Sequence, residues 1–206
     1  MNWKSVTING QAVKSLAIGG AVIWQKSRLP EGYTEVEYLQ SDGAQVINAD
    51  VASYCRAQLD VRFLPTGRFH YMGVGANPPN CFGCDAQNQL SLGSTYALPG
   101  LDATQRHTVV FDLYEGGSTL TAEGLSVSRE GSIVIQRFGL FGTAGYLAYS
   151  QCCCQLYGAQ LYKGDVLKQD LVPCVSPSGE AGLYDLVTGK FFGNSGTGAF
   201  TTGPVV

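Results

Sequence analysis

From Thr34 onward the chain alternates apolar and polar side chains in short runs, each closed by glycine, proline, asparagine or aspartate. The clearest run is 55–64, in which Cys55, Ala57, Leu59, Val61 and Phe63 interleave with Arg56, Gln58, Asp60 and Arg62. A period of two belongs to an antiparallel strand with one face on a core and the other in water. The same pattern predicts strands over 34–39, 45–49, 70–74, 89–92, 107–113, 118–122, 125–128, 132–141 and 151–162. Near the end, Gly182-Leu183-Tyr184-Asp185-Leu186-Val187 and Lys190-Phe191-Phe192 are joined by Thr188-Gly189, where glycine supplies the positive φ of a tight hairpin turn. With no helical period anywhere, the expectation is an all-β chain, a two-sheet jelly-roll sandwich.

The first residues follow a different rhythm. Ser5 to Lys14 is echoed by Ser15 to Trp24, with Asn9-Gly10 and Gly19-Gly20 suited to type I′ turns. This predicts a β-meander of three short strands over 1–27, too small to bury a core alone. Pro30 and Gly32 lie in the linker, so the main domain is expected over 28–206. The small module reads as an attachment piece, through which the chain contacts a larger particle or a second copy of itself.

Composition narrows the partners. With 13 basic and 16 acidic residues in 206, the net charge is −3, and no basic run is present to neutralise phosphates. Nucleic acid and membrane insertion are therefore not expected as partners, and the start lacks the long apolar core of a signal peptide. The 27 glycines and 11% aromatic content fit many strands and tight turns. Seven cysteines (55, 81, 84, 152, 153, 154 and 174) are an odd number and read as reduced core thiols. The alternative is zinc, with Cys81 and Cys84 spaced as in a knuckle and Cys152 and Cys154 completing a four-thiolate site.

Little of the sequence carries reactive chemistry. Glu35 and Glu37 are the one carboxylate pair on alternate strand positions, the spacing by which a retaining glycosidase sets its acids about 5–5.5 Å apart. Asp102 and Asp112 are isolated acids in no oxygen-rich loop, so calcium is not expected, and the two histidines, His70 and His107, adjoin no nucleophile motif. No cofactor is implied. Sugar recognition on a sandwich uses aromatic faces that stack on the rings, plus amides and carboxylates that hydrogen-bond the hydroxyls, on loops or a concave sheet. Tyr71, Asn77, Asn80, Phe82, Asp85, Asn88 and Tyr96 supply them in one region, and Tyr146 and Tyr149 in another.

Four segments carry a family likeness: Leu29 to Ser41, the run Arg106-His107-Thr108-Val109, the stretch Gln155 to Leu167, and Pro173-Cys174-Val175-Ser176-Pro177-Ser178-Gly179-Glu180. Together they resemble phage and prophage tail-associated structural proteins with a concanavalin A-like (LamG/jelly-roll) lectin-type domain. The resemblance spans most of 29–203 and is weakest over Pro65 to Gly100. It implies a non-enzymatic protein of the virion tail, made in the bacterial cytoplasm, whose partners are cell-surface glycan or protein and other tail proteins. A glycoside hydrolase or lyase of the same fold, and a purely architectural module, are the competing expectations.

Overall fold

The computed structural model describes residues 28–75, 80–93, 95–143 and 152–206, together with the backbone of four short strands before them. Asn77, Tyr146 and Tyr149 lie outside the described residues, as do the turn dipeptides at 9–10 and 19–20. The chain divides into two compact units, Met1–Glu31 and Gly32–Val206.

In the first unit, β1 (Thr7–Ile8) pairs with β2 (Gln11–Ala12), and β3 (Ser15–Ile18) with β4 (Ala21–Gln25). Each copy of the sequence repeat is thus one hairpin. Among the described residues the pattern is four strands in two separate hairpins, where the sequence had suggested a three-stranded meander.

The second unit is a two-sheet antiparallel β-sandwich. Its strands are β5 (Thr34–Glu35), β6 (Leu39–Asp42), β7 (Ile47–Ala52), β8 (Arg56–Phe63), β9 (His70–Gly73), β10 (Cys81–Cys84), β11 (Gln89–Leu92), β12 (Tyr96–Asp102) and β13 (His107–Tyr114). They continue with β14 (Gly117–Ala122), β15 (Leu125–Glu130), β16 (Arg137–Leu140), β17 (Cys153–Lys163), β18 (Val166–Val175), β19 (Ala181–Asp185), β20 (Phe191–Phe192) and β21 (Thr201–Thr202). The smaller sheet runs β12-β11-β10-β9-β16-β7. The larger runs β15-β14-β13-β8-β17-β18-β19-β20, with β6 and β21 extending it beside β17 and β5 beside β18.

Period-two patterning places the core. In β8, Ala57, Leu59, Val61 and Phe63 are all at most 1% exposed, while Arg56, Gln58 and Arg62 face water. Four phenylalanines then join the layers: Phe63 and Phe111 from the large sheet alternate with Phe82 and Phe138 from the small one, at centroid separations of 6.4, 4.9 and 6.3 Å along the series. Such aromatic contacts add about 0.5–1.5 kcal/mol each beyond the area they bury.

Several segments depart from the sequence pattern; of the predicted run 132–141, only Arg137–Leu140 is strand. The run 34–39 is two strands, because Val36 donates to the carbonyl of Pro173 and bridges to Val205, while the Glu37 amide bonds to the Pro204 carbonyl. The chain crosses there from β18 to β17. Strand β10 was not predicted, since Cys81-Phe82-Gly83-Cys84 is buried on both faces and shows no alternation. Strand β12 contains Pro99-Gly100, which reads as a turn.

The terminal hairpin is held by a fully buried carboxylate. Asp185 is 0% exposed and accepts from the amides of Asp170 (2.9 Å) and Val187 (3.0 Å) and the hydroxyl of Thr188 (2.6 Å). Replacement by alanine strands those donors, so Asp185→Ala is expected to lower the unfolding free energy by about 3 kcal/mol. Urea denaturation followed by circular dichroism checks this; a loss below about 0.5 kcal/mol would show the carboxylate to be dispensable.

Candidate ligand-binding site

Several residues expected to meet ligand are committed elsewhere. Phe82 is 0% exposed, with the rings of Phe63 and Phe111 against it, and offers no face to solvent. Asn80 is a staple: its Nδ2 donates to the Ser132 carbonyl (3.2 Å) and its Oδ1 accepts from the Val134 amide (2.6 Å). Asp85 builds a turn, its Oδ1 accepting from the amides of Gln87 (2.9 Å) and Gln89 (2.8 Å). Tyr96 packs half-buried on the core with the Arg129 guanidinium 4.8 Å from its ring centroid. Tyr71 is half-buried on β9, its phenol pKa raised by desolvation. Phe82, Asn80 and Asp85 therefore leave the ligand set, because the fold uses their rings, amides and carboxylates to satisfy its own interior.

The thiols do not converge as a metal would need. On strand β10 the spacing Cys81-x-x-Cys84 is odd, so the two side chains leave opposite faces. Cys84 joins Phe82 in the core cluster, and Cys81 lies on the other side. Cys152 and Cys154 do share a face, with their sulfurs 3.6 Å apart inside the core. Burial pushes Cys55, Cys81, Cys84 and Cys174 from 9.0 up to about 12.

The carboxylate pair and the histidines are likewise held in place. Glu37 is exposed and lies 3.8 Å from Arg106, while half-buried Glu35 sits on β5 opposite Cys174. His70 is 2% exposed; its Nδ1 accepts from the Cys153 amide (3.2 Å), so its proton sits on Nε2, 2.5 Å from the Thr66 hydroxyl. Burial lowers its pKa. Asp112 is paired with Arg56 at 3.2 Å.

One predicted residue does line a cavity. Asn88, with Gln87, Gln89, Gly100, Leu101, Asp102 and Thr104, lines a shallow, open polar cleft of about 290 Å³ between the β10–β11 turn and the end of β12. The turn is shaped by Asp85, and Asn88 closes it with φ of 61°, a left-handed value that asparagine tolerates better than most residues. Its carbonyl accepts from the Ala103 amide (2.8 Å), tying the two walls together. Opposite, the Asp102 carboxylate accepts from the amide (2.9 Å) and hydroxyl (2.7 Å) of Thr104, which hold its pKa low and keep it ionised. The ring of His107 fixes the floor through Nε2, 2.9 Å from the Asp102 carbonyl. The Oδ1 of Asn88 is shielded from solvent and has no hydrogen-bond partner among the described residues.

The cleft's other residues escaped the sequence reading. Gln87, Gln89 and Thr104 are ordinary turn residues whose convergence depends on the β11–β12 pairing, Gln89 standing opposite Asp102. A signal was present in Asp85-Ala86-Gln87-Asn88 and Asp102-Ala103-Thr104, two turn-forming Asp motifs flanking one hairpin.

Two outcomes follow for the residues removed from the site. Phe82→Ala is expected to cost about 3–5 kcal/mol in thermal or urea unfolding, as for a deleted core ring. For the thiols, a folded pKa raised above the unfolded one stabilises the fold fully below pH 9.0, and that contribution is lost as pH rises toward about 12. The urea midpoint should therefore fall through this range, and a variant with Cys55, Cys81, Cys84 and Cys174 replaced by alanine should show a shallower fall. Comparison with protein-family models, with curated proteins and with solved structures finds no match for this chain.

Proposed function

We propose that the chain is a non-enzymatic, lectin-like structural module of a phage or prophage tail, and that it binds cell-surface glycan in the cleft around Asn88 and Asp102. The observation that carries the reading is the cleft itself. It offers side-chain amides, a hydroxyl and one ionised carboxylate around a space of sugar-ring scale, the group set that recognises sugar hydroxyls. The Asn88 side chain, whose Oδ1 has no partner among the described residues, keeps hydrogen-bonding capacity that the fold itself does not use.

The two-sheet architecture supports reading the fold as a concanavalin A-like jelly roll, in keeping with the four family-like segments of the sequence. On this reading residues 1–27 attach the sandwich to other tail proteins or to a second copy of the chain. Glu37 engages Arg106, and neither it nor Glu35 lines the cleft, so the recognition reading is preferred to a hydrolytic one.

A glycan array probed with the whole chain is expected to give a competable hit. Gln87→Ala and Asn88→Ala should each weaken it roughly tenfold, the effect of removing one hydrogen-bonding partner. An array with no hit, or a hit that both variants leave unchanged, would sink the proposal.

A further inference from the structure

Strand β17 carries a short internal echo, Gln155-Leu156-Tyr157 and Gln160-Leu161-Tyr162, separated by Gly158-Ala159. The offset is odd, so on a regular strand the copies would face opposite sides of the sheet. A β-bulge corrects the phase. Gln155 stands opposite Arg62 and Leu156 opposite Val61, but Gly158 opposite Asp60, which makes Tyr157 the extra residue. Gln160 and Tyr162 then fall opposite Gln58 and Arg56, on the same outer face as the first copy. Both leucines turn inward and are 0% exposed.

The outer face is held before any ligand arrives. Each phenol donates to the glutamine of its own copy, Tyr157 to Gln155 Oε1 at 2.9 Å and Tyr162 to Gln160 Oε1 at 2.8 Å. The amide nitrogens are anchored in turn, Gln155 to Gln40 Oε1 (2.8 Å) and Gln160 to Asp170 Oδ1 (3.3 Å). The guanidinium of Arg106 lies 3.8 Å over the Tyr157 ring and is gripped by both oxygens of Asp60, at 2.8 and 2.6 Å. Beside Tyr162, Arg56 pairs with Asp112 at 3.2 Å.

Two features name the occupant. Around the tyrosines Arg106 pairs with Asp60 and Arg56 with Asp112, while Arg62 donates to the Thr104 carbonyl and Asp170 holds the Gln160 amide, so charges of both signs are interspersed among planar groups, amides and hydroxyls and neither sign dominates the face. Between the tyrosines, roughly 15 Å apart at ~3.3 Å per residue, Gly158 leaves a notch. Among the described residues a Cβ there would meet only the Leu171 carbonyl, at 3.5 Å. We propose that this face binds an uncharged polysaccharide chain lying along β17, with Tyr162 and the Arg106–Tyr157 stack as two sugar-stacking stations and Gly158 as the notch between them. The site shares no residue with the cleft and stands or falls separately from it.

Affinity electrophoresis of the whole chain through gels containing laminarin, dextran, mannan or the anionic polymer alginate tests this. At least one neutral polymer is expected to retard the protein, and alginate to retard it less. Tyr162→Ala and Gly158→Val should each weaken retardation roughly tenfold, the effect of losing one stacking contact or filling the notch. Gly158→Ala and Tyr162→Phe provide milder versions that keep the fold, checked by an unchanged urea midpoint. Ile135→Ser, at an exposed position on neither polar surface, should migrate as the parent does. The proposal is overturned if no neutral polymer retards the chain, if alginate retards it more, if the β17 variants run unchanged, or if Ile135→Ser matches their loss.

Discussion

The interdigitation of Phe63, Phe82, Phe111 and Phe138 is what makes two sheets into one body. Each ring belongs to the layer opposite its neighbours in the series, so neither sheet can shift without breaking contacts on both sides. The polar features depend on that fixed spacing. The cleft at Asn88 lies where β11 and β12 of the small sheet meet their turns, and the tyrosine face lies on the solvent side of the large sheet. Both are surfaces of elements whose other side is this core.

How much of this could be read from the chain follows from where the alternation is clean. Strand β8 was legible because Ala57, Leu59, Val61 and Phe63 bury one face while Arg56, Gln58 and Arg62 wet the other. Strand β10 was not, since Cys81 and Cys84 are buried on opposite faces and the run has no polar beat. The site was harder still. Asn80, Phe82 and Asp85 have the side-chain chemistry of sugar contacts, yet a staple, a core ring and a turn use the same groups. Local sequence gives residue type but not which neighbour claims it. Asn88 differs from them only in that its acceptor is left over.

Strand β17 shows the same limit from the other side. Its tyrosines fall in one long predicted strand, and strict alternation divides them between interior and solvent. The bulge at Tyr157 is a backbone event with no compositional marker beyond the adjacent Gly158. It moves half of the strand's side chains from one surface to the other, and with them any chemistry they carry.

The bridge between Val36 and Val205, reinforced by the Val206 amide on the Glu35 carbonyl at 3.2 Å, sets the segment after β5 beside the segment after β21. Joining Val36 to Val205 closes nearly the whole sandwich as one loop, and a contact of such sequence separation must meet its loop-closure entropy before it contributes. This clasp therefore favours cooperative closure of the body over strand-by-strand assembly.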